Sequence, residues 1–332
     1  MKLIIKNQNS KYEMSFNSIT QLCGKNISSK RYVIDSLCKH FSSEKYKEYE
    51  DALINNVEID GEVPGRKQWE CYRIDSVESI ISAIQMNKGS ILGRCMKEYV
   101  GEFDCQKELM QIDAILLQVF ARLNQTVLAN ELVEIQYTQE DLFSMLQQTS
   151  IKTSDGRDIH VLNIIELLDV FIEIIEKQQE LIPEKRLYIF ENIDHLISKQ
   201  DYWRLVAKCE QMSKESSVWF IFSTSLDGYV LINEETIESV NVFNEEVFVM
   251  PSLEHIICFL EANYPLEIEW NEDVIISKLS RVVHEIGDSD ELLQPDELVV
   301  IKLINETNQI KNNWKKSPTS PEIQCLMDVS ML

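Results

Sequence analysis

Residues Gly24-Lys25-Asn26-Ile27-Ser28-Ser29-Lys30-Arg31 lie between a short apolar segment, Ile19–Cys23, and a helical pattern that runs to Phe41. That is the position and length of a phosphate-binding P-loop, whose pattern is Gly, four free residues, Gly, Lys, then Ser or Thr. Gly24 and Lys30 fall in register, but Ser29 replaces the second glycine and Arg31 replaces the hydroxyl that would ligate magnesium. The loop keeps its cations and lacks its metal ligand, as in a nucleotide-hydrolase scaffold put to another use.

A nucleotide hydrolase also needs an acid at the end of a second buried strand. Leu187-Tyr188-Ile189-Phe190 leads to Glu191, followed by Asn192 rather than a second acid, and Val218–Phe222 leads to the polar pair Ser223-Thr224. The topology of a P-loop ATPase is thus traceable in three places, while its chemistry is not. A generic α/β sheet whose strands end in polar residues gives the same pattern. Lys25, Lys30 and Arg31 keep a use without nucleotide, because cations and free N–H groups at a helix N-terminus attract any phosphate, a DNA backbone included.

Carboxylates form two further groups. Glu166, Asp169, Glu173, Glu176 and Glu180 step along one helix face, which reads either as a solvated face or as hard-cation ligands. Glu131, Glu134, Glu140 and Asp141 form a second cluster. Calcium takes oxygen from several carboxylates, yet no EF-hand spacing is present, so a site would have to be assembled from distant segments or from two chains. The sequence has no G-x-S-x-G elbow, no H-E-x-x-H and no C-x-x-C pair, and its eight cysteines and five histidines are scattered. Zinc closure and an oxidised disulfide framework are not suggested, and the thiols read as reduced and cytoplasmic. No signal-peptide core or membrane span is expected.

The chain has 332 residues and a net charge of −23, unevenly placed. Residues 1–47 carry nine Lys/Arg against three acids, a net of +6, which leaves −29 for the rest. A basic surface in an acidic body would confine phosphate contacts to one face.

The elements that position these residues follow from hydrophobic period. Short strands are expected at Leu3–Lys6, Tyr12–Phe16 and Ile19–Cys23, a helix over Tyr32–Phe41, and β-like pieces at Val57–Ile59 and Glu70–Ile74. Residues 76–182 turn helical. Leu109, Ile112, Leu116, Val119, Leu123 and Val127 form one seam, and Ile164, Leu167, Leu168, Phe171, Ile172 and Ile175 form another, which predicts an antiparallel helical arm. Leu187–Phe190, a helix near 198–214 and Val218–Phe222 make a β-α-β unit with parallel strands. The fold class expected is α/β: a discontinuous head (1–75 with 183–250), a helical leg (76–182) and a mostly helical C-terminal extension (251–332).

Four stretches together resemble the long-form Csn-type protein of type II-A CRISPR systems. They are Ile19–Gly24 followed by Tyr32, Phe41 and Lys45-Tyr46; Leu187–Asp194 with Ile197–Tyr202; Leu226–Glu235 with Ile237-Glu238; and Pro321-Glu322-Ile323-Gln324. The resemblance implies a degenerate P-loop-ATPase-like head with an inserted helical leg. It implies a calcium-stabilised homotetramer ring that threads double-stranded DNA ends and has no catalytic activity. Its partners would be the CRISPR integrase complex and the RNA-guided nuclease in spacer acquisition. For calcium it points to Glu140 and Asp141, with Glu134 nearby in the acidic cluster, while Gln136 stands where an acid is expected. No nucleotide is expected. The rival reading is a divergent P-loop ATPase acting on nucleic acid.

Overall fold

A computed structural model of the chain describes residues 1–7, 10–87, 89–101, 103–128, 136, 149–226, 228–266, 270–287 and 293–310. The chain forms two compact units, one of Met1–Asp75 with Glu184–Leu332 and one of Ser76–Pro183.

The first unit is built on two sheets. Strands β1 (Lys2–Asn7) and β2 (Ser10–Ser15) form an antiparallel hairpin, and β4 (Val57–Ile59) pairs with the other edge of β1. Leu3, Ile5, Met14 and Val57 are buried, as period-2 alternation requires of a sheet with one wet face.

The second sheet has six strands in the order β5-β6-β7-β3-β8-β9. β5 (Glu70–Ile74), β6 (Arg186–Glu191), β7 (Val218–Ser223), β3 (Ile19–Cys23) and β8 (Val240–Phe243) are parallel, and β9 (Val247–Val249) closes one edge antiparallel. The central strands are buried on both faces because helices cover both sides: Leu187–Phe190 and Val218–Phe222 are apolar runs, and β3 encloses Thr20 and Gln21 among its apolar residues. The strand that enters the Gly24 loop and the β-α-β unit therefore share one sheet, with β7 between β3 and β6. Gln21, wholly buried on β3, is satisfied by exchanging two hydrogen bonds with the Leu231 backbone, at 2.7 and 2.8 Å.

Helix α1 begins earlier than its hydrophobic pattern predicts, at Ile27 rather than Tyr32, and ends at His40. Asn26 sets the start: its side chain accepts the Ser29 N–H, an N-cap that satisfies an otherwise orphan donor. One core lies between α1, the hairpin and β3, with Val33, Ile34 and Leu37 packed on Leu22, Ile189 and Phe243.

The sequence reading sets residues 251–332 apart as an extension. The described helices there, α7 (Leu253–Asn263), α8 (Glu272–Val282) and α9 (Pro295–Thr307), instead share a core with β8 through Val240 and Val242 and belong to the first unit. The apolar faces of these helices have no second layer of their own to bury against, so they pack on the sheet.

The described part of the second unit is mainly helical, with α2 (Val77–Ile84), α3 (Ile91–Gly101), α4 (Phe103–Leu123) and α5 (Ile164–Leu181). Leu167, Leu168, Phe171, Ile172 and Ile175 of α5 are buried, and among the described residues α5 packs mainly on α2 and α3. Ile112 and Val119 of the α4 seam are 43% and 45% exposed. In the acidic stripe of α5, Glu166 belongs to a capping box with Asn163 and Glu180 pairs with Lys177 at 2.6 Å. Helix α6 (Lys199–Glu215) connects β6 to β7. Among the described residues no helix is long and apolar enough to cross a membrane.

Candidate functional site

The loop between β3 and α1 turns at Gly24, whose φ is +93°. A Cβ here would fall against the Phe243 carbonyl oxygen and 2.7 Å from the Phe243 amide nitrogen, so both the backbone angle and the close approach to β8 require glycine.

Three N–H groups beyond it are taken up by side chains and carbonyls of the protein. Lys25 N–H donates to Asn244 Oδ1 at 2.7 Å, Asn26 N–H to the Phe243 carbonyl at 2.9 Å, and Ser29 N–H to the Asn26 side chain at 3.0 Å. Asn244 is itself fixed: its amide donates to the His284 carbonyl at 3.0 Å and also to that of Ile286. A phosphate cradle needs such N–H groups turned outward and unused.

The three predicted cations are placed differently. Lys30 is 2% exposed, and its ammonium donates to the Thr224 carbonyl at 2.6 Å, at the end of β7. Burial holds its pKa below the ordinary lysine value, opposed by Cys23, Asp194 and Glu191 nearby. An ammonium so enclosed does not reach an external phosphate. Lys25 Nζ pairs at 2.8 Å with the almost wholly buried Glu285 of the C-terminal region. Arg31 faces solvent, with its side chain 67% exposed and a loose 3.9 Å approach to Asp35.

Across β7, Glu191 at the end of β6 is where the acid of a nucleotide hydrolase would stand. Its carboxylate accepts Arg73 Nε–H from β5 at 2.7 Å, and Arg73 Nη1 also donates to Asp35 Oδ1 on α1 at 2.8 Å. A guanidinium thus neutralises the carboxylate that would otherwise attract a metal's water shell. Asp194 accepts the Ser225 N–H at 3.2 Å and the Ser225 hydroxyl. Burial pushes the Cys23 thiol up to about 12, so it is no thiolate nucleophile.

Glu134, Glu140 and Asp141 lie outside the described residues. Among the described residues no group of three or more His, Cys, Asp or Glu is arranged to hold a metal ion.

Sequence reasoning missed Asn26, Asn244, Glu285 and Arg73, which shape the loop. Asn26 carried a local signal, since Asn directly before an amphipathic run is a helix start. The other three meet the site only through the fold.

The profile of the family described as CRISPR-associated protein Csn2, subfamily St, matches residues 5–282. The chain belongs to this Csn2 family. It is accordingly a CRISPR-associated protein, as the sequence stretches at 19–46, 187–202 and 226–238 indicate; the fourth, Pro321–Gln324, lies beyond the match. Among solved structures, the crystal structure of Stu0660 of Streptococcus thermophilus is similar with a TM-score of 0.86 and 19% identity, covering 99% of this chain and 100% of that one. The two share the fold. An Smc head bound to the C-terminal winged-helix domain of ScpA scores 0.43 at 14% identity, covering 76% of this chain and 98% of that one. An Smc head with an extended coiled coil bound to the C-terminal domain of ScpA, derived from Pyrococcus furiosus, scores 0.39 at 13% identity, covering 79% and 98%. Both scores are too low to relate those folds to that of this Csn2 chain. No curated protein matches. The Csn2 match includes the loop, Arg73, Glu191 and Asn244, and it ends before α9.

Proposed function

We propose that this chain is a non-catalytic protein that binds double-stranded DNA ends in CRISPR spacer acquisition, as a calcium-stabilised homotetrameric ring around the duplex. In this reading the first unit is a degenerate P-loop-ATPase-like head, the second an inserted antiparallel helical leg. The protein works in the cytoplasm with the CRISPR integrase complex and the RNA-guided nuclease.

The observation that carries the reading is the filling of the β3–α1 loop by its own chain. Asn244, Phe243 and Asn26 take the N–H groups, Thr224 takes the Lys30 ammonium, and Arg73 takes Glu191. The Lys25, Asn26 and Ser29 N–H groups, the Lys30 ammonium and the Glu191 carboxylate, all of them groups that would grip a nucleotide or its metal, already have internal partners. Such a loop supports a fold kept for shape, and it weighs against the divergent ATPase. Lys25 and Lys30 then hold the loop, and Arg31 is its cation turned outward for a DNA phosphate. Contacts of this kind carry no sequence readout.

Self-assembly is supported by α4. Ile112, Ile115 and Val119 are 43%, 61% and 45% exposed at helical spacing, an apolar face that favours cover by another chain. Glu134, Glu140 and Asp141 are the proposed calcium ligands; three carboxylates are hard oxygen donors suited to that ion.

The test is native mass measurement with calcium and then with chelator, each with and without a short linear duplex, followed by competition between linear and relaxed circular DNA. A calcium-dependent tetramer that prefers linear duplex is expected. A calcium-independent monomer removes the ring, and equal binding of circular DNA removes threading. ATP turnover abolished by Lys30→Ala would favour the enzyme.

A further inference from the structure

Helix α1 and strand β5 bring two thiols together. Cys38 lies near the end of α1 and Cys71 on β5, with their sulfurs 3.8 Å apart and the Cys71 S–H donating to Cys38 Sγ. Both are partly exposed free thiols resting on the apolar core that contains Leu37, Trp69 and Leu187.

The same helix and strand are tied a second time. Arg73, two residues along β5 from Cys71, reaches Asp35, three residues before Cys38, at 2.8 Å. Residues two apart on a strand share a face, and so do residues three apart on a helix. The ion pair and the thiol pair are therefore adjacent rungs between the same two surfaces. The ion pair fixes the rotation of α1 that aims the sulfurs at each other.

We propose that Cys38 and Cys71 form a reversible disulfide, a redox-sensitive staple between α1 and edge strand β5, made by a two-electron thiol oxidant of the peroxide class. Closing it brings the sulfurs from 3.8 Å to about 2.05 Å. Cys38 is the attacking group: the hydrogen bond from Cys71 holds its thiol below the ordinary value, and the same contact holds that of Cys71 above. The Cys38 thiolate attacks one peroxide oxygen and the O–O bond breaks. The departing hydroxide takes a proton and leaves as water, and Cys38 becomes a sulfenic acid. Cys71 gives up its proton and attacks that sulfur. The S–O bond breaks, and the sulfenic oxygen leaves as a second water with the Cys71 proton. In sum, two thiols and one peroxide give one disulfide and two waters.

The bond would close a loop between positions 33 residues apart, restricting the unfolded chain. It would also stiffen the seating of the helix that starts at the Lys25–Arg31 loop.

The experiment uses the full wild-type chain, so no variant has to fold. Hydrogen peroxide is titrated in, remaining thiols are alkylated, and the digest is mapped by mass spectrometry. The expected product is a Cys38–Cys71 linked peptide, lighter by the two hydrogens lost and released by dithiothreitol. The apparent melting midpoint rises by roughly 5 °C on oxidation. Cys258, the exposed free thiol among the described residues, reports that oxidant was present. Full oxidation of Cys258 with Cys38 and Cys71 still alkylated overturns the proposal, as does linkage of either to a different cysteine. In Cys71→Ser, a dimedone adduct on Cys38 is expected, and its absence under the same dose overturns the order of attack.

Discussion

The Lys30 ammonium lies 2.6 Å from the carbonyl oxygen of Thr224, joining the first turn of α1 to the end of β7 inside the protein. A buried charge without a full counter-ion is costly, and the depressed pKa of Lys30 reflects that cost. Lys30→Ala is expected to lower unfolding free energy by about 3 kcal/mol, since it leaves the carbonyl without a donor and a void behind it. Lys30→Met keeps the volume and removes the charge, and should cost less than half as much. Urea midpoints of the two variants decide this; an alanine variant as stable as wild type would mean that the ammonium sits in water.

Gly24→Ala meets two obstacles at one position, a φ of +93° and the Phe243 backbone. Neither yields easily, because β8 is held on both sides in its sheet. A loss of about 3 kcal/mol or more is expected. The same substitution at Gly156, which also has positive φ but has nothing near its Cβ position, should cost about 1 kcal/mol. A denaturant series on both variants separates steric contact from backbone angle.

Lys25 and Glu285 pair at 2.8 Å with Glu285 nearly enclosed. Removing one partner of such a pair takes away the other's counter-ion at 2.8 Å, and Glu285→Ala should cost about 3 kcal/mol. The two alanine variants and their combination form a cycle whose coupling is expected to be about 1–3 kcal/mol. Additive losses would show that the Lys25–Glu285 contact does not itself hold the loop.

His40 gives the fold an acid-sensitive point. Its Nε2 lies 2.8 Å from the Pro64 carbonyl, an acceptor only, so the neutral ring carries its proton there. Nδ1 is buried with no hydrogen-bond partner, and burial holds the pKa below the ordinary 6.5. Below that value the unfolded chain binds a proton that the folded chain refuses, so stability falls as pH drops from 6.5 toward the folded pKa and levels off beneath it. Between about pH 7 and about pH 5 the wild type should lose more stability than His40→Leu. Parallel pH dependences of the two proteins would remove His40 from the acid response.

The sequence made much of this scaffold legible for a simple reason. Leu187–Phe190 and Val218–Phe222 are apolar runs because both faces are covered, so they read directly as central strands, and Ile19–Cys23 reads the same way although it carries Thr20 and Gln21. The inward residues of α5 were legible from their period. The state of Lys30 was not, because a lysine beside a glycine loop reads the same whether its ammonium meets solvent or a carbonyl 194 residues away. Arg73 and Glu191 are 118 residues apart and meet only through strand order. The α4 seam had the right period, but the sequence did not show that, among the described residues, α5 packs mainly on α2 and α3.

Arg31 tests the proposed DNA interface most directly. Its guanidinium is exposed and only loosely held by Asp35 at 3.9 Å, so removing it should leave the fold within about 0.5 kcal/mol of wild type. If it neutralises a duplex phosphate, Arg31→Ala weakens DNA binding similarly for all sequences. It also reduces the slope of log affinity against log salt by about 0.9 for each phosphate no longer neutralised. Arg31→Lys should restore most of the slope, because the interaction is with charge rather than with a base edge. Titrating a linear duplex at several salt concentrations measures both quantities. An unchanged slope in Arg31→Ala would move the interface off this loop and onto other exposed cations of the first 47 residues, of which Lys2 and Lys11 already share Glu13.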